Sequence, residues 1–143
     1  MKESITNIMD KEHKKIDLIL KEFESIYSKD KITSKEIFSK FKWSLEKHFF
    51  LEEKAIFNSN ILDEEWISDI SKVLDEHQEI INLLEKTEDA LNHNKNPELN
   101  KLKQLIHVHS VYEDEVFYPK MEEFLSEKQK ENIINKTKEI IQG

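Results

Sequence analysis

Cysteine is absent from all 143 residues. That excludes disulfides, thiolate zinc sites, cysteine-held iron–sulfur clusters and thiol nucleophiles within this chain. The one glycine is the last residue, and hairpin turns draw on internal glycine. A chain without it that is rich in Lys, Glu and Leu points to an all-α protein rather than to sheets. Proline occurs only at Pro97 and Pro119, so long helices run uninterrupted. No apolar run approaches the roughly 20 residues that a membrane-spanning helix needs. The opening MKESITNIMDKEHKK has no apolar stretch of the secretory kind. Excess positive charge is lacking too: the formal net charge is -8, which argues against nucleic-acid or anionic-membrane partners. These absences together lead to the expectation of a cytoplasmic protein with one domain over residues 1–143.

Apolar residues recur at steps of three and four in four long segments, the signature of amphipathic helices. The first runs from about Ser4 to Ser28 with an inward stripe of Ile5, Met9, His13, Ile16, Leu20, Phe23 and Tyr27. After a connection at Lys29 to Ile32, the capping-box pattern Thr33-Ser34-Lys35-Glu36 opens the second helix. Its stripe holds Ile37 or Phe38, Phe41, Leu45, His48, Glu52 and Ile56, and Asn58-Ser59-Asn60 ends it. Asp63 caps a third helix carrying Trp66, Ile70, Val73 or Leu74, His77, Ile80 or Ile81, and Leu84. Past a polar loop from Asn92, Asn96 and Pro97 begin a fourth, with Leu102, Leu105, Ile106, His109, Tyr112, Glu113, Val116 and Phe117 inward. Pro119 marks its end or a kink. Ser126-Glu127-Lys128-Gln129 opens a shorter fifth helix. Short connections favour antiparallel neighbours, so the expected fold is an up-down-up-down four-helix bundle with a short C-terminal helix.

The chain repeats itself. His13-Lys14-Lys15-Ile16 resembles His77-Gln78-Glu79-Ile80, and HFFLEEKAIF from His48 resembles HSVYEDEVFY from His109. Each half is one helix bearing a lone histidine followed by one bearing His-x-x-x-Glu, at separations of 35 and 32 residues. Residues i and i+4 share a helical face, so His48 with Glu52, and His109 with Glu113, point inward together. At about 100° per residue, His107 lies roughly 160° around the helix from His109 and faces solvent. His93 falls in the polar loop, and both are expected to be bystanders. Glu53, Asp114 and Glu115 rotate away from the inward face.

One inward histidine is more often a hydrogen-bonded core residue than a ligand, and one inward glutamate can pair with a lysine. The aromatic residues Phe41, Phe49, Phe50 and Phe117 read as plain core. Six such polar groups converging in one small core is another matter. Each left unpaired costs about 1–3 kcal/mol, against a net stability of only about 5–15 kcal/mol. A metal centre formed by His13, His48, Glu52, His77, His109 and Glu113 resolves that cost. Imidazole and carboxylate without sulfur suit iron, manganese or zinc. Six ligands are too many for one tetrahedral zinc, whereas two bridging carboxylates with two histidines per ion make a dinuclear site with open positions.

This order, His, His-x-x-x-Glu, His, His-x-x-x-Glu, with the tails Glu53-Lys54-Ala55-Ile56-Phe57 and Glu115-Val116-Phe117-Tyr118-Pro119, resembles the hemerythrin-like, or HHE cation-binding, family over about residues 5–125. The resemblance implies two non-haem, carboxylate-bridged iron ions held by the same six residues, and a partner such as dioxygen, nitric oxide or peroxide. It implies a protein that binds or senses such a ligand, or alternatively a di-iron enzyme of oxidative or nitrosative stress defence or iron-centre repair. Oxygen-carrying members have His-x-x-x-His on the third helix, where this chain has Ile81. They use His-x-x-x-x-Asp on the fourth, which His109 and Asp114 also satisfy. Tyr27 and Tyr112, on or beside inward stripes, are the tyrosines placed to modulate redox chemistry, although core packing accounts for both.

Overall fold

The computed structural model describes residues 3–57 and 62–142. Among the described residues the fold is all-α, with no strand. Helix α1 spans Ile5–Ile26, α2 Lys31–Glu52, α3 Ile67–Asn92, α4 Leu99–Tyr112, α5 Tyr118–Phe124 and α6 Glu127–Gln142. Five-residue π-helical turns, Glu53–Phe57 and Glu113–Phe117, prolong α2 and join α4 to α5. A 3₁₀ turn, Glu64–Trp66, leads into α3.

The first four helices run antiparallel in sequence. His13 meets His48 and Phe23 meets Phe38 between α1 and α2. Lys42 reaches Glu88 at 3.1 Å between α2 and α3, while Phe49 stacks on His77 nearer the other end. Tyr112 donates to Asp69 and His109 to Glu76 between α4 and α3. In each case the partner number falls as the first number rises, which is the up-down-up-down order.

Most helix ends follow the sequence signals, with local differences. Helix α2 starts two residues before Thr33, because the exposed Asp30 side chain accepts from the Thr33 N–H at 3.1 Å and from its hydroxyl at 2.7 Å. Asp30, not Thr33, is therefore the cap. Helix α4 begins at Leu99 rather than at Pro97; Asn96 is engaged elsewhere, accepting from the Tyr27 hydroxyl at 2.8 Å. Pro119 neither ends nor breaks the chain's helical course. It sits in the first turn of α5, directly after a π turn in which the Tyr118 N–H bonds back to the Glu113 carbonyl, so its missing N–H falls where the ladder has already shifted. At the end of α3, Asn94 takes φ 55°. The Lys95 N–H then reaches the Ala90 carbonyl at 2.8 Å and the Asn94 N–H that of Leu91 at 3.2 Å. That is the helix stop usually given to glycine, and asparagine supplies it in a chain without internal glycine. The expected box at Ser126 forms reciprocally with Gln129, at 2.9 and 3.1 Å. The expected stop at Asn58-Ser59-Asn60 lies outside the described residues.

Two apolar clusters fill the interior. One gathers Ile5, Met9, Leu51, Ile56, Trp66, Phe117, Met121 and Ile133, so α6 closes this end of the bundle. The other gathers Ile16, Leu20, Phe23, Phe41, Leu45, Phe49, Ile80 and Leu84. Between Met9 and Ile16 on α1 lies His13, and the other three helices have their histidines at the same level. A polar layer thus separates two apolar ones. Of the expected inward residues, Phe50 and Val116 are half-exposed instead, each rotated off the stripe that the buried His48 and Phe117 mark.

Candidate metal centre

All six residues of the expected constellation meet in that polar layer. Glu52 and Glu113 are fully buried and His48, His77 and His109 nearly so; His13 is partly buried. Around Glu52 Oε1 stand His48 Nε2 at 3.1 Å and His77 Nε2 at 3.3 Å. Around Glu113 Oε1 stand His13 Nε2 and His109 Nε2, each at 3.2 Å. The two halves of the sequence repeat thereby become two halves of one site, each glutamate flanked by its own helix's histidine and a lone one. The four chelating atoms of Glu52, His77, His109 and Glu113 lie within 4.8 Å of one another, as do those of His13, His48 and Glu113.

These contacts are close but mostly lack hydrogen-bond alignment. Glu52 Oε1, both oxygens of Glu113, and the Nε2 atoms of His77 and His109 are buried with no hydrogen-bond partner. Buried polar atoms are otherwise almost always satisfied, and each exception calls for a reason. Donor atoms gathered within 4.8 Å of one another, most of them without a hydrogen-bond partner, suit a cation between them, so the residues present fit a metal.

The outer face of the ring is built differently. His13 Nδ1 donates to Asp114 at 3.1 Å, and His109 Nδ1 to Glu76 at 2.8 Å. The Glu53 carboxylate stands 3.6 Å from His77 Nδ1. Asp114 therefore holds the far nitrogen of His13 rather than joining the inner cluster. Glu53 also approaches the site from outside, whereas Glu115 is exposed as expected. An Nδ1–H given to a carboxylate fixes the tautomer and leaves Nε2 facing inward as a lone pair when the ring is neutral. His48 Nδ1 has no such partner. His107 and His93 are exposed, and the His93 ring meets its own helix at Asp89, 2.8 Å from the carbonyl and 3.3 Å from the carboxylate.

Three further residues shape the site that are not among the expected site residues, Phe49 being expected only as plain core. Tyr118, fully buried, donates to Glu52 Oε2 at 2.8 Å. Phe49 lies face to face with His77, ring centres 3.9 Å apart. Glu76, the neighbour of His77 in sequence, serves His109 on the next helix. Tyr27 and Tyr112 are engaged elsewhere, with Asn96 and Asp69. The sequence does hint at Tyr118: it lies five residues after Glu113, and the π turn brings it back to the inner face.

Without a metal the charges balance by proton uptake. Burial opposes charge on His13, but the Asp114 and Glu113 carboxylates outweigh it and hold the imidazole up to about 10. Burial is likewise overcome at His109, where Glu113 and then Glu76 raise the ring to about 10. Glu52 is pushed up by burial yet held well below the usual carboxylate range by Glu113, His48 and His77 beside it. Burial first, then the charges of Glu113 and Glu52, drives the Tyr118 phenol well above its ordinary value, so it remains a donor.

Comparison with protein families finds the hemerythrin HHE cation-binding domain across residues 4–121. The chain belongs to that family. The hemerythrin match takes in α1 to α4, both π turns and most of α5, so every residue of the buried cluster falls within it. Neither the comparison with curated proteins nor that with solved structures gave a match. No described helix of this hemerythrin-family protein is long and apolar enough to cross a membrane.

Proposed function

We propose that His13, His48, Glu52, His77, His109 and Glu113 hold two non-haem iron ions, and that the protein binds or senses dioxygen or a related small ligand, nitric oxide or peroxide. The observation that carries this reading is the set of buried, convergent and unpartnered Nε2 and Oε atoms in a family of cation binders. Two overlapping chelating groups that share Glu113 support two ions rather than one. Neither oxygen of Glu113 has a hydrogen-bond partner, whereas one oxygen of Glu52 accepts from Tyr118, so both oxygens of Glu113 would be open to metal. Iron bound there supplies exchangeable coordination positions and one-electron redox chemistry.

The chain's own residues prepare the site. Asp114 and Glu76 orient the His13 and His109 rings from behind. Tyr118 keeps a proton on its oxygen and holds Glu52 in one rotamer. Phe49, flat against His77 and edge-on to His109 at 5.7 Å, shields those rings from water. Loading requires His13 and His109 to give up the protons they hold in the metal-free form, because only a neutral imidazole offers a lone pair.

A second reading, a di-iron enzyme acting on peroxide, nitric oxide or dioxygen, is favoured by Ile81. It stands where oxygen carriers have a further histidine, and here it packs against the apolar cluster. Metal analysis and absorption spectra of reduced protein before and after dioxygen addition separate the readings. A reversible spectral change supports binding, and irreversible oxidation or turnover supports chemistry. Protein produced with ample iron that contains neither iron nor another transition metal would overturn both.

A further inference from the structure

The space beside the site is wider than a diatomic gas requires. Helices α1 and α4 close on one another less tightly than the other neighbouring pairs, and between them lies a cavity of about 620 Å³. A diatomic molecule needs space on the order of one water, about 30 Å³. The cavity instead falls in the range of small-molecule sites, about 300–1,000 Å³. Its inner end is formed by His13, His48 and His109, so an occupant abuts the candidate metal centre.

The walls define what fits. Ile16, Leu20, Phe41, Leu45 and Ile80 supply an apolar body. On the α4 side, Gln104, His107 and Ser110 line the same space, and none of their side chains is committed to a hydrogen bond among the described residues. His107, turned away from the metal by its place on the helix, thus faces the opening of this cavity. The rim carries three lysines, but each is already matched. Lys14 pairs with Asp10 at 2.9 Å, Lys21 with Asp17 at 3.0 Å, and Lys103 with Glu24 at 2.9 Å, the last across the opening from α4 to α1. Asp114 adds a further acid to the lining. No rim lysine is left over for an anionic head group at the mouth, and bringing an anion in there would set it against the carboxylates of Asp10, Asp17 and Glu24.

We propose that the α1–α4 cavity binds an uncharged, largely apolar organic molecule of the medium-chain alcohol kind. Its hydroxyl lies among Gln104, His107 and Ser110, and its hydrocarbon body packs on the α1 and α2 walls. The inference adds an organic ligand to the small-ligand reading above, and it stands on the cavity rather than on the metal.

Titration calorimetry with 1-octanol and octanoate tests it on the full chain, with metal content measured in parallel. Saturable one-to-one binding of 1-octanol is expected, with octanoate weaker by about ten-fold or more, about 1.4 kcal/mol. Gln104→Trp at the exposed mouth and Ile106→Trp on the wall each weaken 1-octanol by about ten-fold or more by filling the space. Trp43→Ala, at an exposed apolar residue outside the cavity, leaves binding unchanged. Absence of saturable heat, octanoate binding as tightly as octanol, or loss in Trp43→Ala without loss in the two cavity variants overturns the proposal. Protein that stays free of transition metal when produced with ample iron, yet binds 1-octanol in this pattern, would overturn the iron reading and sustain this one.

Discussion

Each imidazole of the buried layer has two nitrogens, and the fold treats them differently. The Nε2 atoms converge on the glutamates, while Nδ1 of His13 and His109 is tied to carboxylates outside the ring. Removing an inner group and removing an outer one should therefore have different consequences. His109→Ala and Glu113→Ala are expected to lose most bound metal, and His107→Ala and His93→Ala none, as measured by metal-to-protein ratio. Equal loss in all four would contradict the sorting of the histidines by face. Asp114→Ala should keep the metal but weaken it by about 10–100-fold in a chelator competition, the usual scale for a group that orients a ligand. Loss as complete as in His13→Ala would instead make Asp114 a ligand. Tyr118→Phe strips the donor from a fully buried carboxylate oxygen. In metal-free protein it should lower stability by about 1–3 kcal/mol, read from the denaturant midpoint; an unchanged midpoint would mean that water replaces the phenol.

The elements present these residues through ordinary helix chemistry interrupted in two corresponding places. The first π turn begins just after Glu52 and the second on Glu113 itself, and each shifts the helical face so that residues beyond the glutamate also turn inward. Ala55 and Ile56 within the first, and Phe117 and Tyr118 within and after the second, are fully buried for this reason. The start of α2 offers a simple check on which residue caps it. Asp30→Ala should lower the melting temperature more than Thr33→Ala, because only Asp30 accepts the Thr33 N–H; the reverse order would restore the capping box. Between α3 and α5, Asp69 accepts from Lys120 at 2.7 Å and from Tyr112 at 2.8 Å. Burial raises its carboxyl, but Lys120 and Tyr112 outweigh that and hold it below the ordinary 3.8. A depressed carboxylate contributes stability above its unfolded value and loses it as pH falls through the folded one. The melting-temperature gap between wild type and Asp69→Asn should thus be full at neutral pH and close below about pH 4. A gap independent of pH would remove charge from the explanation.

At the scale of the molecule, the bundle is two apolar cores separated by a charged layer that neither core can neutralise. A metal occupying that layer would couple loading to folding. Chelation is expected to lower the melting temperature reversibly, with re-addition restoring it. Binding at 1,000 times the dissociation constant is worth about 4 kcal/mol. An unchanged melting temperature after complete metal removal would show that the protonated histidines and glutamates hold the layer together unaided.

Helical class, the number of long helices, the faces of His13, His48, His77 and His109, and the separation of His107 and His93 were all legible in the chain. Helical geometry is local: about 100° per residue places every side chain on a face without knowledge of any other helix. The internal repeat carried the further step, since two copies of one pattern have to meet for either to be satisfied. The tertiary structure decided what depends on the rotation and axial register of one helix against another. Asp114 behind His13, Glu76 of α3 behind His109 of α4, and Tyr118 on Glu52 join residues 33 to 101 positions apart, and no periodicity ties them. The cavity is of the same kind. It exists because α1 and α4, the first and last of the four bundle helices, close less tightly than the other neighbouring pairs, and that gap is a property of their packing rather than of either helix.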